Sequence, residues 1–163
     1  MVIDTENITI DKLEDDLFTQ KEVSLSVLRL DKIHSIISGN KIFKLYYFLE
    51  KAIQENKNTI LTFGGAYSNH LAATAYACKQ QNLHSIGFER GEKPETLSHT
   101  LQDSIANNMQ LHFVSREEYD NQNKAHYLQT LQQQYSNAII IPEGGYDSLG
   151  SKGASLIADS IND

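Results

Sequence analysis

With a single cysteine, Cys78, the chain cannot close an internal disulfide, and a reducing cytoplasm is the expected setting. No apolar run approaches the roughly 20 residues of a membrane-spanning helix, and no membrane partner is expected. The start, Met1-Val2-Ile3-Asp4, has neither the basic opening nor the apolar centre of a secretory signal. Basic residues are outnumbered, 14 against 21 acidic ones, and they are scattered rather than clustered. A net charge of −7 repels a phosphate backbone, which argues against nucleic acid. The histidines His34, His70, His84, His99, His112 and His126 show no HExxH or other ligand spacing, and no metal is expected. The nucleotide-binding patterns GxxxxGK[ST] and GxGxxG are missing too. What is present is ordinary: 40% hydrophobic residues, 21% charged and nine glycines, close to a globular average. At 163 residues the chain is long enough to bury a sizeable core.

Periodicity supplies the architecture. Residues 1–22 mix acidic side chains with Ile8, Ile10, Leu13, Leu17 and Phe18 in no clear order, and read as a docking segment. From Val23 the order Val-Ser-Leu-Ser-Val places an apolar residue at every second position, the period of a strand with one buried face, expected to continue to Leu30. Ile42, Leu45, Tyr46, Leu49, Ala52 and Ile53 then line one face of a helix. Residues 59–63 form a β-rich run that ends in two glycines, and a helix over 71–80 comes directly after it. Further strands are predicted at 85–88, 110–114 and 138–141. Pro94 is read as opening a helix with Leu97, Leu101 and Ile105 on one face. Ser115-Arg116-Glu117-Glu118 is a capping-box start, Tyr127, Leu128, Leu131 and Tyr135 mark another helix, and 149–161 a last one. Strands alternating with helices of this length imply βαβ crossovers, hence an α/β fold with an open parallel sheet and helices on both faces.

Two polar clusters bracket one helix and one strand. The first is Ser38-Gly39-Asn40-Lys41, and the second is Gly64-Gly65-Ala66-Tyr67-Ser68-Asn69-His70. In a parallel sheet the second cluster lies at a strand's carboxyl end, where such sheets bind ligands and the next helix offers backbone N–H groups. A lysine near such a turn suits carbonyl chemistry, because its amine condenses with an aldehyde. By itself each piece has a plainer meaning: a lysine in a first helical turn is commonly a solvated charge, and Ser68 or Asn69 an N-cap.

Taken together, Gly39-Asn40-Lys41, Lys44-Leu45 and Thr62-Phe63-Gly64-Gly65-Ala66-Tyr67-Ser68-Asn69-His70 resemble the 1-aminocyclopropane-1-carboxylate deaminase and D-cysteine desulfhydrase family. Arg90-Gly91-Glu92, Leu111-His112-Phe113 and Ile141-Pro142-Glu143-Gly144-Gly145 extend the similarity over nearly the whole chain from Arg29. The resemblance implies pyridoxal phosphate as cofactor and a small amino acid as substrate. It makes Lys41 the Schiff-base lysine, puts Ser68 beside the substrate and Asn69 on the cofactor's ring oxygen, and has Lys44 lend charge toward the phosphate. Arg29 and Asp31 resemble the charged pair at the end of a family strand, although Leu30 stands where an acidic residue is common. His70 leans toward the desulfhydrase branch, since glutamine often occupies that place in deaminases.

The family's proteins are longer, two-domain molecules, and this chain resembles their first half. Residues 1–43 would then belong to the larger domain, 44–145 would form the small domain, and 146–163 would return to the larger one. The glycine-rich phosphate loop and the ring-nitrogen partner of the family lie in the half not represented, so a C-terminal half or further copies of the chain are the expected protein partners. Two functional classes are implied: a pyridoxal-phosphate deaminase or desulfhydrase whose chain is incomplete, or a non-catalytic α/β module that binds an anion or a protein partner. Cys78, in an alanine-rich run, reads as a small buried residue rather than a nucleophile.

Overall fold

Four of the predicted strands pair side by side, all parallel, in a computed structural model that describes residues 3, 5–34, 37 and 39–161. The elements are β1 (Ile10–Leu13), α1 (Asp16–Gln20), β2 (Leu25–Leu28), α2 (Lys41–Gln54), β3 (Thr59–Gly64), α3 (Asn69–Gln80), β4 (His84–Arg90), α4 (His99–Ala106), β5 (Met109–Val114), α5 (Arg116–Tyr119), α6 (Ala125–Gln134), β6 (Ala138–Ile141) and α7 (Ser148–Ser155). The main sheet has the order β5-β4-β3-β6, with β3 central between β4 and β6. Side chains alternate along β3 and divide the core in two. Ile60 packs with Leu45, Leu49, Ala73 and Ala77 of α2 and α3, while Leu61 and Phe63 pack with Tyr119 and Leu131 of α5 and α6. Leu71, Ala75, Leu101 and Met109 extend the first layer to α4. Helices thus cover both faces, and a Leu, Ile or Phe wholly buried in such a layer contributes about 1.5–3 kcal/mol.

The N-terminal part departs from the sequence reading. Residues 10–13 form β1, which pairs antiparallel with β2 in a separate two-stranded sheet, and α1 lies between them, capped by the Asp15 carboxylate on the Leu17 N–H at 2.8 Å. The strand expected over 23–30 is shorter, and its alternating apolar side chains are bare: Val23, Leu25 and Val27 are 55%, 43% and 39% exposed. Alternation reports a face suited to burial, and here the described residues do not cover it. Arg29 closes the hairpin, gripping Asp31 at 2.8 and 2.7 Å and Asp11 at 2.8 Å.

Two helix boundaries differ as well. Pro94 lies in a loop, and α4 starts five residues later, where Ser98 caps the Leu101 N–H and donates to the Ala66 carbonyl. A hydroxyl able to satisfy both loop and helix outcompetes the proline's preference for a first turn. The last helix is α only through Ser155 and continues as a 3-10 turn over Leu156–Ser160. The Ser115 start is as expected, its Oγ accepting from the Glu118 N–H at 3.1 Å. Ser38, the opening residue of the first polar cluster, lies outside the described residues. Among the described residues no helix is long and apolar enough to cross a membrane.

Candidate active site

β3 and β6 end side by side, and the turn that leaves each strand builds the site. After β3 the chain turns through Gly64 to Ser68 into α3, and Ser68 caps that helix by accepting from the Leu71 N–H at 3.3 Å. The turn is tight enough that a Cβ on Gly64 would stand 2.5 Å from Ser68 Oγ and 2.8 Å from Leu71 Cγ. After β6 come Pro142 and a 3-10 turn over Glu143–Gly145, in which Gly144 and Gly145 have φ of +64° and +67°. This left-handed backbone is costly for residues with a Cβ. The region where the two turns meet is thus bounded by backbone and by a helix N-terminus, whose partial positive charge favours an anion.

α2 brings the amines. Lys41 is its first residue and Lys44 stands one turn on. Lys44 Nζ donates to the Gly144 carbonyl at 3.3 Å, and its Cβ lies 3.4 Å from where a Cβ of Gly145 would be. His70 Cε1 is 3.9 Å from that same point, so Lys44, Gly145 and His70 converge. Lys41 Nζ donates to the Asn40 side chain at 2.9 Å. Its pKa is lowered, first by burial and then by the Lys44 ammonium, which makes the neutral, nucleophilic amine more accessible. The His70 ring is pulled down to about 3 by burial, with the charges of Lys41 and Lys44 adding to it. Both lysines therefore act on a ring that comes directly after Ser68 and Asn69.

Lys41, Lys44 and His70 lie within electrostatic reach of one another. Ser68 is half-buried at the start of α3, where it serves as the N-cap, and Asn69, the first helical residue, is exposed. Cys78 is wholly buried in the α2–α3 layer, and burial pushes its thiol up to about 12, which removes it as a nucleophile. Phe43 is core, and Tyr47 lies under Lys152, whose Nζ is 4.1 Å from the ring centre.

Sequence reasoning missed two contributors. Thr62, buried on β3, bonds both His70 Nε2 and the Ile141 carbonyl at 2.9 Å, and so ties α3 to the end of β6. In the sequence it stood only as the first residue of the motif that runs to His70, with no role of its own. Gly150 and Gly153 were the other: a Cβ on Gly150 would strike the Gly145 carbonyl, and one on Gly153 the Phe43 carbonyl. Their three-residue spacing on α7 marks the face that presses on α2 and on the glycine turn, which sets the place of both lysines.

A cofactor with an aldehyde and a phosphate needs an amine, an anion-favouring surface and room. Lys41 meets the first need, Lys44 and the α3 N-terminus meet part of the second, and the buried Nδ1 of His70, without a partner among the described residues, is a polar group still able to accept a donor. The residues fit the aldehyde side and a share of the charge, while a phosphate asks for further donors.

No family model matches the chain. It is 35% identical over 133 residues to a Thermotoga maritima protein provisionally named 1-aminocyclopropane-1-carboxylate deaminase, covering 80% of this chain and 42% of that protein. It is 31% identical over 127 residues to the mitochondrial bifunctional D-cysteine desulfhydrase/1-aminocyclopropane-1-carboxylate deaminase of Arabidopsis thaliana, covering 72% of this chain and 31% of that one. The chain is a homologue of the N-terminal portion of this family. It spans less than half the length of either relative. In fold it is similar to the crystal structure of an ACC deaminase homologue, with a TM-score of 0.77 at 24% identity over 99% of this chain and 49% of that one.

Proposed function

We propose that the chain is the N-terminal part of a pyridoxal-phosphate-dependent deaminase or desulfhydrase that acts on a small amino acid, 1-aminocyclopropane-1-carboxylate or D-cysteine. The observation that carries this is Lys41: an amine with a lowered pKa at the start of α2, next to Lys44 and His70 at the carboxyl ends of β3 and β6. Pyridoxal phosphate, when bound, supplies an aldehyde for that amine and an electron-withdrawing ring. Lys41 holds it and, once released, serves as a base. Lys44 supplies positive charge to its anionic side, Asn69 offers an amide to its ring oxygen, and Ser68 stands by the substrate with a hydroxyl. On the same reading residues 44–145, which contain the whole parallel sheet, form the small domain, and 1–43 and 146–163 belong to the larger one.

This chain by itself is not expected to turn substrate over. A phosphate carries about two negative charges near neutral pH and needs several donors. Tyr67 and Tyr146, on the loops after β3 and β6, are 75% and 89% exposed, so the site keeps one open side. Transition-state charge is stabilised far better in a water-excluded site than in an open one. A C-terminal half supplied by another chain or by a longer form of this one would close it. The alternative, a non-catalytic module, keeps the sheet and loses the amine chemistry. The test is to add pyridoxal phosphate to the purified chain and follow its absorbance, then fix the product with borohydride and map it. A covalent adduct at Lys41, absent in Lys41→Ala, with no turnover of D-cysteine or the cyclopropane amino acid, is the expected result. No adduct at Lys41 would favour the non-catalytic module, and robust turnover would refute incompleteness.

A further inference from the structure

The Thr62 hydroxyl has two partners on two different elements. The Ile141 carbonyl oxygen is 2.9 Å away, and so is Nε2 of His70. A hydroxyl has one proton to give, and a carbonyl can only accept. The Thr62 proton therefore goes to Ile141, and Thr62 Oγ1 accepts from the ring. This places the His70 proton on Nε2 and leaves Nδ1 as a lone-pair acceptor. The ring is 2% exposed, and Nδ1 has no hydrogen-bond partner among the described residues. A buried polar atom without a partner is uncommon in folded proteins and calls for an explanation.

The surroundings narrow what that acceptor is for. The ammonium groups of Lys41 and Lys44 both act on the ring and oppose a cation there. Lys44 is directed at the Gly144 carbonyl, across the glycine turn. Among the described residues Lys41 donates only to the side chain of its own neighbour, Asn40, and a lysine nitrogen has further N–H groups to donate.

We propose that His70 is the positioning residue for Lys41: a neutral imidazole, held as the Nε2–H tautomer by Thr62 and Ile141, whose Nδ1 accepts an N–H from the Lys41 amine when that side chain leaves Asn40 for the site. The proposal deepens the reading of Lys41 as the cofactor's amine and rests on it. With one N–H given to Nδ1, the amine is oriented without being paired to a carboxylate, which would favour its charged form. The opposite tautomer or an imidazolium would present a donor to a donor and could not do this.

Two measurements on the 163-residue chain test the proposal. Long-range proton–nitrogen NMR on histidine-labelled protein reads the tautomer without any mutation. His70 is expected as Nε2–H, without titrating between about pH 5 and 8, where an ordinary histidine does titrate. The Nδ1–H tautomer, or a cation forming in that range, overturns the proposal. The second measurement is competitive acetylation of Lys41 by acetic anhydride, read by mass spectrometry, which needs no cofactor. His70→Asn keeps an amide group at the Nδ1 position, whereas His70→Gln moves it to the Nε2 position. Lys41 reactivity is expected to fall about five-fold in His70→Gln, the weight of one ordinary hydrogen bond, and to stay within about two-fold in His70→Asn. Equal losses in both variants, or no change in either, overturn the positioning role. If these results hold and pyridoxal phosphate still fails to add to Lys41, the functional reading falls and the His70–Lys41 contact stands.

Discussion

His70 shows how a single buried ring links stability to pH in this protein. Its ordinary pKa is 6.5, and in the fold it is about 3. Between those values the unfolded chain takes up a proton and the folded chain does not, so stability rises with pH through that window. The neutral ring's contribution is complete above about pH 6.5 and is lost as pH falls, by about 1.4 kcal/mol per pH unit. Urea midpoints measured from neutral pH downward are expected to show this slope, and His70→Asn is expected to remove it. An undiminished slope in that variant would mean that other groups cause it. Thr62→Val leaves the ring's Nε2–H without an acceptor in the interior, and its expected cost is about 1–3 kcal/mol.

Between elements, contact is governed by residues too small to be noticed as core. α7 rests on α2 because Gly153 lets its backbone come against the Phe43 carbonyl, and Gly150 does the same at Gly145. Gly153→Ala is expected to push α7 off the first turn of α2 and to destabilise the chain by about 1–3 kcal/mol, the usual cost of overpacking. Because that turn carries Lys41 and Lys44, labelling of Lys41 by pyridoxal phosphate should fall with it. A variant with normal urea stability and normal labelling would show that the two helices tolerate separation. Gly64→Ala is the counterpart at the other turn: a Cβ there meets both Ser68 and Leu71, and the same stability loss is expected with α3 displaced.

On the scale of the whole molecule, the N-terminal hairpin carries apolar surface that the described residues leave uncovered. Leu13 and Leu25 are paired across the hairpin, and with Val23 and Val27 they leave an apolar strip exposed to solvent. These side chains contribute little to the described core. The double substitution Val23→Lys and Val27→Lys is therefore expected to change the urea midpoint by less than about 0.5 kcal/mol-equivalent, as exposed substitutions usually do. Binding of a hydrophobic dye should drop markedly in the same variant. Loss of folding in it would show that the strip is covered in solution.

Much of the fold was legible in the chain because local patterns and the core demand the same arrangement. β3, with its run Thr59 to Gly64, and α2, with its apolar stripe, could hardly be read otherwise, and strands spaced by helices dictate a parallel sheet. Lys41 was singled out because Asn40-Lys41 and Ser68-Asn69-His70 are distinctive in company. Tertiary structure alone decided the rest. Whether Val23 to Val27 is buried depends on what packs against it, which periodicity does not record. Pro94 was read as the helix start, and the Ser98 hydroxyl, bonded to the Ala66 carbonyl distant in sequence, opens the helix instead. The tautomer of His70 depends on a threonine eight positions earlier and on the Ile141 carbonyl seventy-nine positions beyond that threonine. A proton's place is set by which acceptors surround it in space, and the sequence orders residues only along the chain.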